Sequence, residues 1–364
     1  MSVEKETVKL DLCLPLIARW YERAGRPLPW RLEPSPYHVW LSEIMLQQTR
    51  IEAVIPYYDR FLRAFPTVEA LARAEDERLM KLWEGLGYYS RARNLKKAAI
   101  LITEQYAGEL PRQASLLKKL PGIGDYTAGA IASIAYGEPE PAVDGNVLRV
   151  MTRLLAYGED IQSAKTRAHI TELLRQNYPS GRDAALLTEG IMELGETVCI
   201  PNGQAACPLC PLREHCLAHK NGTVDRYPVK SPPKERRVEA RTVLLLRNNG
   251  KYAIRRRPAR GLLAGLWEFP STEGKLSEAE AAAYAGTLGL SVAACAPCPP
   301  KKHIFTHVEW QMSAYLADCA GEGEQLLWKS PEEIGQDFSV PTAFRFYLEL
   351  ISGGCEDAPA VPSP

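Results

Sequence analysis

The sequence predicts a multi-domain protein in which an all-α domain precedes an α+β domain, and three observations carry the prediction. At 364 residues the chain exceeds what one hydrophobic core comfortably serves. From residue 9 to about 225 apolar residues recur at spacings of three and four, with breaks at Gly, Pro and Asp. Beyond a stretch rich in proline and basic residues, the pattern turns to alternation around an Asn-Gly pair.

Taken in order, the helical segments are "LCLPLIARWYERA", then "VWLSEIMLQQTRIEAVIPYYDRFLRAF" read as one continuous helix, then "TVEALARA", "DERLMKLWEGL" and "SRARNLKKAAILITEQY". "SLLKKL", "GAIASIAY", "NVLRVMTRLLAY", "AKTRAHITELLRQNY" and "AALLTEGIMELGETVC" follow. Residues 1–225 form the expected all-α domain, 226–236 a linker with little to bury, 237–355 the α+β domain, and 356–364 a flexible tail. In the second domain "RTVLLLRNNGKYAIRRR" reads as a hairpin, "HIFTHVEWQMSAYLADC" as alternating strand, and "PTAFRFYLELI" as a closing helix.

Lys+Arg and Asp+Glu both number 44, so a polyanionic partner would be held by local patches and not by the overall field. The N-terminal stretch has charges scattered through its apolar positions, and no stretch approaches the roughly 20 apolar residues of a bilayer span. A cytoplasmic protein without membrane contact is expected. In such a compartment the nine cysteines are reduced thiols or metal ligands. Cys295 and Cys298 form one isolated pair in "ACAPCPP", read as a structural loop, since one dithiol cannot complete a four-ligand site.

"LPGIGDYTAGA" places Gly122 and Gly124 in a Gly-x-Gly turn between two short helices. Such a turn serves equally as a tight αα connection or as a place where backbone N–H groups approach a phosphate. The Gly/Pro loop "GEPEPAVDG" then leads to Asp144, in the N-cap position before "NVLRVMTRLL". This combination resembles the helix-hairpin-helix base-excision DNA glycosylases. The resemblance implies that the hairpin holds a DNA backbone and that Asp144 faces the sugar of a flipped-out nucleotide, stabilising or transiently bonding the positive charge that builds there. A helix N-terminus favours the ionised carboxylate that this role needs. In the endonuclease III-like branch the hairpin carries a Schiff-base lysine, where this chain has Tyr126, so monofunctional chemistry is expected.

"SEIMLQQTR" is similar to the signature of the MutY-type adenine DNA glycosylases. Glu43 stands in an apolar helix, where desolvation would hold it protonated near neutral pH; as an ordinary helix-face glutamate it would do nothing special. The resemblance makes Glu43 the acid that protonates adenine, which is mispaired with 8-oxoguanine. It places Gln48, Thr49, Leu86 and Tyr88 around the 8-oxoguanine strand, and Trp30, Arg31, Tyr126, Asn146 and Glu189 around the adenine. Trp30 and Tyr88 also suit a plain aromatic core.

Cys199, Cys207, Cys210 and Cys216, spaced x7, x2 and x5, can wrap one cluster. The family's site is a [4Fe–4S] cluster with a first gap one residue shorter, and the loop "IPNGQAA" lacks the family's basic side chains. Arg213, His215 and Lys220 stand nearby in compensation. "GLLAGLWEFP" resembles the start of a Nudix-like domain, but the residues after it lack the paired acids that hold Mg²⁺. Such a domain would read 8-oxoguanine instead, through Phe305, Thr306 and His307, which match the family's Phe-Ser-His loop with Thr for Ser. The implied partner is double-stranded DNA with 8-oxoguanine:adenine mispairs, bound by a monomer of bacterial, nucleoid-associated location. The competing readings are an endonuclease III-like lyase, a silent mismatch-binding module and a Nudix hydrolase of oxidised nucleotides.

Overall fold

The computed structural model describes residues 8–232 and 235–353; the tail expected at 356–364 lies outside them. By proximity of Cα atoms the chain divides into two units, one of residues 1–74 with 90–232, the other of 75–89 with 233–364. The segment 75–89, read from sequence as part of the helical domain, therefore groups with the second unit.

The first unit holds α1 (Leu10–Ala24), α2 (Pro29–Leu32), α3 (Pro36–Leu46), α4 (Ile51–Ala64) and α5 (Val68–Ala72). The next helix, α6 (Asp76–Trp83), belongs to the second unit. The first unit resumes with α7 (Ser90–Gln105), α8 (Ala114–Leu117), α9 (Asp125–Ala130), α10 (Gly145–Leu154), α11 (Ala164–Arg175), α12 (Arg182–Thr197) and α13 (Leu217–Lys220). One of its cores joins Cys13, Leu14 and Ile17 of α1 to Leu148 and Met151 of α10 and Leu187, Ile191 and Leu194 of α12. Each fully buried leucine or isoleucine there is worth about 1.5–3 kcal/mol.

The helix expected to run unbroken through 39–65 is two helices. The buried Arg91 donates through Nη1 to the carbonyls of Ile44, Met45 and Gln47, at 2.7, 2.9 and 2.7 Å. It thereby satisfies the last carbonyls of α3, the groups a helix end leaves orphaned. The chain then turns through Gln48 in the left-handed region, φ 59°, before α4 begins. Of the expected linker, Tyr227, Val229 and Ser231 hydrogen-bond to Arg153, Ile161 and Gln162 of the first unit, while residues 233 and 234 are outside the described set.

The second unit holds β1 (Arg237–Asn248), β2 (Lys251–Arg256), β3 (Trp267–Glu268), β4 (Ser271–Glu273), α14 (Glu278–Thr287), β5 (Ser291–Ile304), β6 (Val308–Ala320), β7 (Leu327–Lys329), α15 (Pro331–Asp337) and α16 (Thr342–Ser352). The path of the sheet runs β3-β2-β1-β6-β5, with β4 on β1 and β7 on β2. Asn249 and Gly250, at φ 49° and 74°, make the hairpin turn the Asn-Gly pair predicted. β1 pairs parallel to β6 from Arg237↔Val308 to Arg247↔Asp318. Its residues 242–246 are buried on both faces, which is why they read as an apolar run instead of an alternation.

Residues 295–298 correct the sequence reading: they are strand, not loop. β5 spans 291–304 and pairs antiparallel with β6 despite Pro297, Pro299 and Pro300. It ends the sheet path, and its register shifts between Val292 and Ala294 and between Cys298 and Lys301. Edge position and bulges are the two circumstances in which a strand tolerates residues without an N–H.

Candidate active site

In the first unit a cavity of about 940 Å³ opens between α3, α9, α10 and α12. Its lining includes Glu43, Tyr126, Asp144 and Asn146, together with Trp30, Arg31 and Glu189. Gln48 and Thr49, from the turn that Arg91 creates, form part of its rim. Nine of the residues singled out from sequence thus meet in one place.

Glu43 sits on α3 among buried neighbours, 6% exposed, and its Oε2 has no hydrogen-bond partner. Burial pushes its carboxyl up to about 7; the Tyr126 hydroxyl bonded to it pulls the other way, and Asp144 and Glu189 add repulsion. Tyr126 reaches the cavity because the hairpin delivers it in the first turn of α9. Gly122 there has φ 80°, and a side chain would put its Cβ 2.8 Å from the Cβ of Asn94.

Asp144 is the N-cap of α10, as its position predicts. Its Oδ1 accepts from the Val147 N–H at 2.8 Å and its Oδ2 from Asn146 Nδ2 at 2.9 Å. The helix N-terminus favours the ionised form as expected, but burial works against it. Burial raises its pKa above the ordinary aspartate range, although those donors and Arg149 favour the anion. Asn146 is itself held by Arg149, whose Nη2 donates to its Oδ1 at 2.6 Å and to Gly195 O at 2.7 Å. A Cβ on Gly195 would lie 2.6 Å from that of Asn146, so α12 can approach α10 here only without a side chain.

Arg31 lies between two carboxylates, with Nη1 2.8 Å from Glu193 and Nε 3.7 Å from Glu189. Arg26 forks onto the same Glu193 at 2.5 and 3.0 Å. Trp30 is buried edge-on to Tyr58, ring centroids 5.4 Å apart.

Residues 41–176 match the model of the HhH-GPD superfamily base excision DNA repair proteins, and residues 242–350 match the NUDIX domain. An adenine DNA glycosylase of Rattus norvegicus is 32% identical over 95% of this chain and 80% of its own length. The chain belongs to the adenine DNA glycosylase family. It is a base-excision enzyme that hydrolyses N-glycosyl bonds. The adenine DNA glycosylase of Buchnera aphidicola from Acyrthosiphon pisum is 29% identical to it, covering 88% of this chain and 93% of that one. A non-covalent endonuclease III–DNA complex superposes on it with TM-score 0.50 and 26% identity, over 58% of this chain and 96% of the other.

The four clustered cysteines of the glycosylase, Cys199, Cys207, Cys210 and Cys216, line one small cavity with Arg153 and His219. Arg153 Nη1 is 3.3 Å from Cys199 Sγ. Burial pushes the Cys207, Cys210 and Cys216 thiols up, Cys210 to about 12, and the neighbouring thiols add to it. Among the described residues, no three His, Cys, Asp or Glu side chains converge on the position of a single ion.

Other expected site residues lie elsewhere. Gly122 and Gly124 stand in the hairpin outside the cavity lining. Leu86 and Tyr88 fall in the second unit, as do Phe305, Thr306 and His307 at the tip between β5 and β6. There the hydroxyls of Tyr88 and Thr306 are 2.5 Å apart, and Phe305 packs edge-on to Trp310 at 4.9 Å. Sequence reasoning missed Arg26, Arg91, Arg149, Arg167 and Glu193. One signal was available: Glu189, Glu193 and Glu196 recur at helical spacing, which stacks three carboxylates on one face and demands cations against them. Among the described residues no helix is long and apolar enough to cross a membrane.

Proposed function

We propose that the glycosylase removes adenine mispaired with 8-oxoguanine or guanine in double-stranded DNA, by a monofunctional mechanism. The observation that carries this is Glu43: a buried carboxyl, pushed up to about 7, whose free oxygen shares a cavity with Asp144. An acid near that pKa donates a proton efficiently at neutral pH. Glu43 gives its proton to N7 of an extruded adenine. The bond between C1′ and N9 breaks with its electron pair leaving on the base, and C1′ becomes cationic. Asp144, with donors from Val147 and Asn146 already aimed at its oxygens, faces that cation as the carboxylate, since an opposite charge favours the charged form. Water then adds to C1′ and gives its proton to the Asp144 carboxylate, which completes the hydrolysis. Tyr126 holds Glu43 and offers no amine for a Schiff base, so strand cleavage does not follow.

Trp30, Arg31 and Glu189 shape the adenine end of the cavity, and Gln48 and Thr49 its rim. In the second unit Phe305, Thr306, His307, Leu86 and Tyr88 read the 8-oxoguanine: the Thr306 hydroxyl accepts from the N7–H that guanine lacks. The hairpin of Gly122 and Gly124 holds the DNA backbone. The enzyme acts as a monomer in a bacterial cytoplasm, at the nucleoid.

Cys199, Cys207, Cys210 and Cys216 hold a [4Fe–4S] cluster. Their thiols ring a cavity instead of meeting at one point, with a guanidinium beside Cys199, and that donor set suits an anionic polynuclear cluster. Holding it would tie residues 199–216 together. Arg149 Nε and Arg153 Nη1 fasten that loop to α10 through the carbonyls of Cys199 and Ile200.

The test uses duplexes carrying 8-oxoguanine:A, G:A or thymine glycol, with strand breaks compared before and after alkali. Breaks only after alkali, strongest for 8-oxoguanine:A, are expected. Nicking without alkali would overturn the monofunctional mechanism, and action on thymine glycol the substrate.

A further inference from the structure

Five arginines line the cavity of the glycosylase, and three are committed to the fold. Arg26 is paired with Glu193 and Glu196, Arg31 with Glu193, and Arg149 donates to Asn146, Gly195 and Cys199. The other two, Arg50 and Arg167, are exposed and make no ion pair among the described residues. Arg50 stands on the rim where the chain enters α4, beyond Thr49. Arg167 comes from the first turn of α11, and its Nη1 donates to the carbonyl of Val143, 2.6 Å away and adjacent in sequence to Asp144. That bond uses one N–H group of the guanidinium, and among the described residues its other N–H groups have no acceptor.

Two cations at the mouth that make no ion pair among the described residues suit a ligand that brings its own negative charge. A nucleotide whose sugar reaches Asp144 draws the phosphates on its two sides to the rim. Phosphates brought to the mouth lose part of their hydration, and cations at the rim offset that loss. We propose that Arg50 and Arg167 each bind one of the two phosphates flanking the extruded nucleotide. The inference rests on the reading that this cavity receives a flipped nucleotide, but not on which base is removed.

Binding of the full-length protein is measured across a salt series on two duplexes. One carries a tetrahydrofuran abasic-site analogue opposite 8-oxoguanine, and the other is unmodified. Because neither needs to be cut, the result is separate from the excision assay: loss of adenine specificity would overturn the proposed function and leave this measurement standing. On the analogue duplex, Arg50→Ala and Arg167→Ala should each reduce the slope of log K against log salt by about 0.9, the share of one phosphate. On the unmodified duplex the slopes should stay at the wild-type value. A methylphosphonate in place of one flanking phosphate should lower the wild-type slope equally, and leave one of the two variants with no further loss. Wild-type slopes for both variants on the analogue duplex, or equal losses on both duplexes, would overturn the proposal. Arg50→Ala removes no side-chain hydrogen bond among the described residues. Arg167→Lys keeps the charge while losing the Val143 anchor, and should retain the slope if the contact is with phosphate.

Discussion

Two buried glutamates, one in each unit, sit in opposite circumstances. Glu268 on β3 is 1% exposed, with Oε1 taking Arg255 Nε at 3.0 Å and Oε2 shared by Arg257 and the Ser271 hydroxyl. Glu43 on α3 is nearly as buried but keeps one oxygen without a partner, and its nearest donor is a phenol. A carboxylate forked by two arginines and a hydroxyl has both oxygens occupied by the fold's own donors, so it can only hold a fold together. One left half-satisfied in an apolar setting keeps a proton that it can give away. Burial is common to both; what separates structure from chemistry is whether the fold supplies cations.

The sharpest way to break this contrast is Glu43→Gln. It should cost on the order of 10³-fold in single-turnover excision, the range of a lost general acid, while DNA binding and the melting temperature stay close to wild type. A variant that excises normally would remove Glu43 from the chemistry. Glu268→Gln should do the reverse: stability in urea falls by about 3 kcal/mol, because two arginines lose their counter-charge in a buried setting, and the excision rate of the folded protein is kept. Equal losses of rate and stability in both variants would erase the distinction.

The pH profile sharpens it further. Glu43 is raised to about 7, so its acid form prevails below that pH and is lost above it. Single-turnover excision should therefore fall as pH rises through about 7, by roughly tenfold per unit well above it. The limb should vanish in Glu43→Gln, and a rate flat to pH 9 would contradict the assignment. The smallest effect is expected from Thr306, whose hydroxyl is shared with Tyr88 and not orphaned. Thr306→Ala should reduce the preference for 8-oxoguanine:A over G:A by roughly fivefold, about 1 kcal/mol for one hydrogen bond. Thr306→Ser should keep the preference, as competition assays with the two duplexes would show.

Much of the site was legible because its residues obey local rules. The N-cap position of Asp144, the Gly-x-Gly hairpin before Tyr126 and the apolar company of Glu43 follow from spacing along one or two turns. The Asn-Gly hairpin of the second unit is equally local. The break after Leu46 was not legible, because its cause is Arg91, more than forty residues away in sequence. Proline in "ACAPCPP" argued for loop, and only the edge place of β5 makes it strand. The upward push on the Asp144 pKa was not legible for a related reason: the dipole of its own helix is local, whereas the desolvation that works against it comes from the assembled cavity.

By itself the amino-acid sequence determined that a glycine hairpin leads to an N-capping aspartate, and that a helical region precedes a sheet, since periodicity, capping and turn residues act over a few neighbours. Tertiary structure alone decided that β1 and β6 run parallel, that residues 75–89 join the second unit, and which of the cavity's arginines pair with carboxylates and which make no ion pair among the described residues. Those outcomes depend on the three-dimensional sum of desolvation and charge around each group, a quantity that no short window of sequence contains.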